Sequence, residues 1–365
     1  KFNSYITNEE AMILQKLHEE TGIKLFNDDA YNFQQFMKGF ASTSGKSLYS
    51  ADRLTIEQSN AIVMIGTRIT RDNPGVMYSV NKAIKKHRAL FTYMHPLEDD
   101  VLQNKQTQFI KYEAGSEEGV LALLTSFLIE NCSDEEVQEF LDDLDVGYLS
   151  GESSVGEEEL EDLVNSLKRS RNKTLVVGQD VFGHENAISI GKFVGLIDKY
   201  SDFKVCVVPS QTNTLGVSLI CDLTNTIEGD TIGYNEPGNF TFSNCGEGDI
   251  NIPALNQQEG TFVSINKQVV NTNVAVEFDG FCLNDFANEI LKNGCDNTID
   301  YTCMLPIESG FEAIRFDDLD YGYDKYGQDQ RGYYLHNLDT KIENNLEEPE
   351  DIDTYNGTVL YRFEP

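Results

Sequence analysis

The chain has 365 residues, enough for two or three domains, and it carries 61 acidic against 28 basic residues for a net charge of −33. So strong a negative charge disfavours nucleic acids and anionic lipid surfaces as partners. No apolar run reaches the ~18–20 residues of a membrane helix, so direct membrane insertion is not expected. The seven cysteines show no CxxC pair or zinc-ligand spacing, which indicates a reducing, cytoplasmic setting and predicts no metal site.

Hydrophobic periodicity predicts alternating helices and short buried strands up to residue 130. Residues 7–10 fit a capping box, and Pro74 opens a later helix. Two strands flank that helix, so this stretch is a βαβ unit with parallel strands. The predicted elements, in order, are a helix ending at Gly22, a helix with Phe33, Phe36, Met37 and Phe40 on one face, a strand at 61–65, the Pro74 helix, strands at 89–94 and 109–112, and a helix at 116–130.

A second βαβ unit lies between residues 173 and 216. The strand 174–177 ends at Gly178, an amphipathic helix spans 184–200, and the strand 203–208 follows. Between the two units, residues 133–171 predict two acidic amphipathic helices separated by a loop at 147–156. We interpret this segment as a peripheral connection between two α/β domains.

Beyond residue 216 the pattern changes to glycine, asparagine and short β runs. A hairpin is predicted at 260–270 and a short helix at 285–292. A tyrosine-rich stretch follows at 321–334, and we expect the acidic stretch at 343–353 to be mobile or to wrap on a partner. The predicted domains are therefore an α/β domain with an acidic helical segment at 1–168, a second α/β domain at 169–290, and an irregular acidic extension at 291–365.

No stretch of the chain predicts a catalytic apparatus. Gly178 and Gly183 form G-x-x-x-x-G without the Lys-Ser or Lys-Thr of a P-loop, and the G-x-G-x-x-G dinucleotide fingerprint is missing. Such glycines are more often simple turns from strand to helix. His95 at a strand end and His184 at a helix start are candidate site residues, although each alone is more often a surface or capping histidine.

Four short stretches resemble the molybdopterin oxidoreductase family, in particular the large iron–sulfur subunit of respiratory complex I. They read Thr-Asn-Glu-Glu at 7–10, Ser-Asn-Ala-Ile-Val-Met-Ile-Gly at 59–66 with Asn-Pro at 73–74, Thr-Asn-Thr-Leu-Gly at 212–216, and Glu-Gly-Thr-Phe at 259–262. The resemblance implies two Rossmann-like αβα domains with mainly parallel sheets, as in the middle domains of that family. An irregular C-terminal extension would follow them.

The chain also departs from the pattern of active family members. His95-Pro96-Leu97 stands where they have Asp-Pro-Arg, and residues 26–50 contain no cysteine that could be a metal ligand. The family's iron–sulfur clusters lie in cysteine-rich modules, which would precede Lys1. The resemblance therefore implies no catalytic residue, no metal and no cofactor in this chain. The residues at positions that would reach the pterin nucleotide are remnants of a site: Gly66, Thr67, Arg68, Arg71, His95, Gly178 and Asn213.

The expected function is a structural, non-redox part of the large subunit of complex I, with the other subunits as partners and a cytoplasmic position peripheral to the inner membrane. An alternative is a fragment of an active molybdopterin-dependent oxidoreductase such as a formate dehydrogenase. A further alternative is a dinucleotide-binding oxidoreductase built on the βαβ units. We also expect the acids at 72, 98–100 and 180 to keep a nucleotide out of the cleft between the two domains.

Overall fold

The computed structural model describes residues 1–294, 298–307, 333–352, 354, 358, 360 and 361. The chain forms two compact units, each made of two chain segments. Unit 1 comprises Lys1–Gln34 and Pro209–His336, and unit 2 comprises Gln35–Val208 and Asn337–Pro365. Most of the tyrosine-rich stretch predicted at 321–334 lies outside the described residues.

Helices and short strands alternate along the described part of the chain. Its α-helices are α1 (Asn8–Thr21), α2 (Asp28–Ser44), α3 (Arg53–Gln58), α4 (Ile69–Asp72), α5 (Pro74–His87), α6 (Glu117–Leu128), α7 (Glu135–Asp143), α8 (Val146–Ser153), α9 (Glu157–Leu167), α10 (Gln179–Phe182), α11 (Ala187–Tyr200), α12 (Thr214–Ile220) and α13 (Leu283–Leu291). Its strands are β1 (Leu25–Phe26), β2 (Ala61–Ile65), β3 (Leu90–Met94), β4 (Gln108–Ile110), β5 (Lys173–Val177), β6 (Phe203–Val207), β7 (Leu223–Thr224), β8 (Ile232–Tyr234), β9 (Phe240–Ser243), β10 (Ile250–Asn251), β11 (Gly260–Val263), β12 (Gln268–Thr272) and β13 (Tyr333–Tyr334). None of the described helices has the length and apolar character needed to cross a bilayer.

Unit 2 is built on one five-stranded parallel sheet with the strand order β4-β3-β2-β5-β6. The predicted α/β class with parallel strands is therefore confirmed. The division at residues 168 and 169 is not observed, because β2 and β5 pair directly, with Ala61 opposite Lys173 and Ile65 opposite Val177. β2 is wholly buried and β5 nearly so. Such strands can accept neighbours on both sides, and their sequence pattern does not say which strands those are.

Helices cover both faces of this sheet. The β2-to-β3 and β5-to-β6 connections run in opposite directions across it, and parallel crossovers are right-handed, so α5 and α11 lie on opposite faces. α3 packs on α5, and α6 packs on α11.

The helices α2 and α11 cross at backbone contact. A Cβ atom added to Gly191 would lie 2.1 Å from the carbonyl oxygen of Phe36, and one on Gly195 would lie 2.2 Å from Thr43 Oγ1. On the facing helix, a Cβ on Gly39 would lie 2.0 Å from the carbonyl oxygen of Ile188. Only glycine permits so close an approach of the two backbones.

The acidic segment at 133–171 belongs to unit 2 and does not connect two domains. It contains three helices, because α8 occupies most of the loop predicted at 147–156. The helix α8 starts at an aspartate cap, where Asp145 Oδ1 accepts a hydrogen bond from the amide of Tyr148. Both α8 and α9 pack on α6.

The described part of the acidic stretch, residues 343–352, lies against unit 2 in irregular conformation. The amide of Glu343 donates to the carbonyl oxygen of Ser42 at 2.8 Å. Tyr148 Oη donates to the carbonyl oxygen of Glu350 at 2.6 Å, and Ile352 packs where a Cβ on Gly119 would stand. These residues were expected to be mobile or to wrap on a partner; in the structure they pack on the chain itself.

Unit 1 is organised around α1, which packs on α12, α13 and β11. The predicted capping box starts this helix: Thr7 Oγ1 accepts from the amide of Glu10, and Glu10 Oε2 accepts from the amide of Thr7. The predicted hairpin is present as the antiparallel pair β11–β12, joined by β13. A second, three-stranded sheet of unit 1 is parallel, with the order β10-β9-β8.

Candidate functional site

The strand order of unit 2 marks the place where a ligand would be expected. From β2 the chain proceeds to β3 and β4 on one side, and from β5 to β6 on the other, so the order reverses between β2 and β5. In open parallel sheets, ligands bind outside the carboxyl ends of the strands at such a switch point. Gly66 and Gly178 directly follow these two strands.

At this switch point the two glycine loops are in direct contact. The amide of Gly178 donates to the carbonyl oxygen of Ile65 at 2.9 Å, and the amide of Asp180 donates to that of Gly66 at 3.0 Å. A Cβ on Gly178 would stand 2.2 Å from Thr67 Cβ, and one on Gly66, whose φ is +66°, would stand 2.3 Å from Val181 Cγ2. The glycines therefore allow the loops to touch, and the amides of Gly178 and Asp180 are used between the loops.

Buried His95 and half-buried Asp180 form a pair beside these loops. His95 follows β3 and is 1% exposed. Its Nε2 lies 3.2 Å from Asp180 Oδ2, and its Nδ1 accepts from the amide of Leu97 at 2.9 Å. Its ring stacks on Tyr93 at 5.6 Å between centroids. Burial raises the pKa of Asp180, and the hydrogen bond from His95 opposes that rise.

Tyr361 covers this pair. Its hydroxyl lies 3.2 Å from Asp180 Oδ1 and 3.0 Å from Asp72 Oδ2, and the edge of its ring meets His95 at 5.4 Å. Burial, reinforced by the charges of the two aspartates, raises the pKa of Tyr361, so the hydroxyl keeps its proton and donates it. The side chain of Tyr361 thus occupies the mouth of the switch point.

The polar and positively charged candidates at the switch point have different partners. Thr67 Oγ1 donates a hydrogen bond to Asp72 Oδ2 at 2.7 Å. The guanidinium of Arg68 lies 5.9 Å from the centre of the Tyr361 ring, and its buried Nε has no hydrogen-bond partner among the described residues. Arg71 lies in the short helix α4 and is exposed. The two arginines therefore differ in environment, Arg68 against an aromatic ring and Arg71 exposed to solvent.

A buried acid, Glu117, lies near this cluster and was not predicted as a site residue. Burial raises its pKa to about 7; His184 opposes this rise when it is protonated, and the charge of Asp180 adds to it. His184 is itself held in place, because its Nδ1 accepts from the amide of Asn186 and its Nε2 donates to the carbonyl oxygen of Gly115 at 3.0 Å. The only signal in the sequence was an acid in the first turn of a helix, which usually interacts with the helix amides alone.

Of the seven predicted remnant residues, six lie in unit 2, in or just after the loops that follow β2, β3 and β5: Gly66, Thr67, Arg68, Arg71, His95 and Gly178. Asn213 belongs to unit 1, where its buried side chain joins three chain segments by hydrogen bonds. Its Nδ2 donates to the carbonyl oxygen of Ile6 and to Asn8 Oδ1, both at 3.0 Å, and its Oδ1 accepts from the amide of Val263 at 2.8 Å. Across the described ranges, no group of three or more His, Cys, Asp or Glu side chains could hold a metal ion.

The remaining resembling stretches also have local structural roles. Thr261, from the Glu-Gly-Thr-Phe stretch, receives Asn8 Nδ2 at its Oγ1 (3.1 Å), and its amide donates to Glu9 Oε2 at 2.8 Å. Asn73 caps α5 through its Oδ1, with Pro74 in the first turn. These short motifs are caps and brackets that α/β proteins of different function can share.

Comparison with known proteins finds no matching protein-family model and no matching curated protein. Among solved structures, the chain is similar to a chain of the formyltransferase/hydrolase complex FhcABCD from Methylorubrum extorquens in complex with methylofuran. That similarity has a TM-score of 0.51 at 11% sequence identity and covers 80% of this chain and 90% of the other. A second similarity, to acetylene hydratase from Pelobacter acetylenicus, has a TM-score of 0.44 at 12% identity and covers 55% of this chain and 29% of that one.

The first of these similarities corrects the prediction from sequence. The assignment to the large iron–sulfur subunit of complex I is wrong, since the fold that matches over most of both chains is that of a chain in a formyltransferase/hydrolase complex. At 11% identity the likeness concerns the fold, and it identifies this chain as an α/β protein of that architecture.

Proposed function

We propose that this chain is a non-catalytic subunit of a multi-subunit enzyme complex of the formyltransferase/hydrolase kind, in which partner subunits carry the chemistry. The observation that carries the proposal is the closed switch point of unit 2. A catalytic or cofactor site there would need open space and free donors, whereas the loops after β2 and β5 touch each other and Tyr361 lies over His95 and Asp180.

The extent of the fold likeness supports this assignment. The similarity spans 80% of this chain and 90% of a chain whose complex is named for formyl transfer and hydrolysis. A subunit without a site of its own contributes by positioning its neighbours, and 61 acidic residues give it a strongly charged docking surface. We place the complex in the cytoplasm, since no disulfide joins the described cysteines. Nucleic acid is not proposed as a partner.

Isolation of the tagged chain from its own cells tests the proposal. We expect native mass spectrometry to show a stoichiometric assembly with other subunits, and we expect that assembly to release or transfer formyl groups. In the same assembly, His95→Ala and Asp180→Asn are expected to change the turnover rate by less than about twofold, whereas the loss of a general acid or base typically costs 10²–10⁴-fold.

Two results would contradict this proposal. A chain that purifies alone, as a monomer, has no complex to support. A loss of activity of more than about 100-fold in His95→Ala, with the assembly intact, would show that the cluster takes part in the reaction. Stoichiometric molybdenum or tungsten with bound pterin would instead favour the alternative of an active molybdopterin-dependent oxidoreductase.

We also expect no nucleotide to bind at the switch point. Asp72, Asp99 and Asp180 surround the loops, and two like charges ~4 Å apart cost on the order of 4 kcal/mol at an effective dielectric constant of about 20. Calorimetric titration with GMP or GDP at low salt should therefore give no binding tighter than about 1 mM. Micromolar affinity that disappears in Arg68→Ala but persists in the exposed-site control Arg171→Ala would show that the site still binds phosphate.

A further inference from the structure

Unit 1 presents an exposed group of apolar side chains, here named the aromatic patch. Aromatic rings of β9 contact rings in and just before α13. The distances between ring centroids are 5.5 Å for Phe240 and Phe242, 5.0 Å for Phe242 and Phe286, and 6.0 Å for Phe286 and Phe281. All three pairs are edge-to-face, the arrangement that aromatic rings prefer. Ile290, one turn along α13, completes the patch.

The aromatic patch is not the core-facing side of its helix. α13 packs on α1 and buries Leu283 and Ala287. Phe281, just before the helix, is 66% exposed and Ile290 is 58% exposed. Both sides of the α13 segment are therefore apolar: the inner side packs on α1, and on the outer side Phe286 contacts Phe242 while Phe281 and Ile290 stay exposed among the described residues. Contiguous exposed aromatic side chains commonly mark a protein interaction site.

The charges around the aromatic patch restrict what can cover it. Residues 226–292 contain ten acidic side chains, at 228, 230, 236, 247, 249, 259, 277, 279, 285 and 289, and two lysines, at 267 and 292. Asp279, Asp285 and Glu289 alternate with the exposed apolar residues and are themselves exposed. A second copy of this chain would bring acids against acids, so self-association through the patch is disfavoured.

We propose that the aromatic patch is the docking surface for another subunit of the complex, one that presents an apolar centre rimmed by lysine or arginine. This inference rests on the proposed function and adds to it the position and chemistry of one interface. Phe281 and Ile290 insert into the partner's apolar centre, where buried aromatic side chains dominate binding energy. Asp279 and Glu289 pair with its basic rim and accelerate association at low salt.

The test compares Phe281→Ser/Ile290→Ser with a control of similar exposure in unit 2, Tyr78→Ser. Each tagged chain is purified from its own cells under native conditions, and the partners retained by the wild type are quantified by native mass spectrometry. We expect the amount of one partner retained by the double variant to fall at least tenfold, and the control to retain as much of that partner as the wild type. Glu289→Lys is expected to slow association with that purified partner, and the wild-type rate is expected to fall as salt rises.

The outcomes separate the two proposals. A wild-type chain that retains no partner overturns the proposed function, and the docking surface with it. A wild-type assembly that the double variant leaves intact overturns only the docking surface. A wild-type homodimer that the double variant dissociates overturns the choice of a basic partner. Because the substituted side chains are exposed, circular dichroism should show all variants folded, and Glu289→Lys tests the surface without removing apolar area.

Discussion

Glu117→Gln is expected to stabilise the protein by about 3 kcal/mol at pH 8 and to leave its stability nearly unchanged at pH 4. In the folded chain burial raises the pKa of Glu117 to about 7, against 4.5 for the ordinary group. Between these values the unfolded chain loses the proton and the folded chain keeps it, so stability falls as pH rises. Each pKa unit corresponds to about 1.4 kcal/mol, which gives about 3 kcal/mol over the whole window.

Burial, the largest contribution, fixes the sign of this effect. The negative charge of Asp180 adds to it, and His184 opposes it when protonated. Glutamine stays neutral at every pH and keeps an oxygen that accepts from the backbone, so the variant avoids the cost of a buried charge. Urea unfolding at pH 4, 6 and 8 measures the difference. The exposed control Glu161→Gln should change little at any pH, and an equal response of both variants would refute a raised pKa for Glu117.

Gly191→Ala is expected to destabilise unit 2 by about 3 kcal/mol, although alanine is the better helix former. The added Cβ would stand 2.1 Å from the carbonyl oxygen of Phe36, which is backbone and cannot rotate away. The two helices must separate, and forced overpacking typically costs 1–3 kcal/mol.

Gly151→Ala is the matched control, because it makes the same chemical change in the interior of helix α8. No atom lies within 4 Å of the added Cβ, so the variant should gain about 0.5–1 kcal/mol from its higher helix propensity. Thermal unfolding of both variants is expected to shift in opposite directions. Two shifts of the same sign would show that α2 and α11 do not cross at the distance described.

The sequence predicted individual elements well where a period and a boundary residue agreed. β2, β3, β5, β6 and the hairpin follow from apolar runs that end at Gly, Pro or a turn, and α1 follows from its capping box. It did not predict that β2 and β5 pair. Each strand is apolar on both faces, so its sequence pattern does not indicate which strand lies beside it. The same pattern was equally consistent with two separate domains.

The candidate site was predicted only in part. Parallel strands place their carboxyl ends at one edge, so Gly66 and His95 were expected to lie near one another, whereas Gly178 joins them through the unpredicted pairing of β2 with β5. Whether the two glycine loops bind a phosphate or contact each other depends on differences of a few ångströms in the distance between them. The spacing of residues along the chain does not determine that distance. Tyr361 was unpredictable for a different reason: it follows Gly178 by 183 residues and carries no motif.

The division of each unit into two chain segments has a consequence for the order of folding. All strands of the five-stranded sheet lie between residues 61 and 207, so that sheet can form while later residues are still being synthesised. The helix α1 cannot complete its packing at that stage, because Thr261, whose amide donates to Glu9, lies 252 residues further along the chain. At about 5–20 residues per second, the buried face of α1 waits about 10–50 s on the ribosome for β11. During that interval we expect its apolar side chains, Ile13, Leu14 and Leu17, to be exposed to chaperones, while the five-stranded sheet of unit 2 forms first.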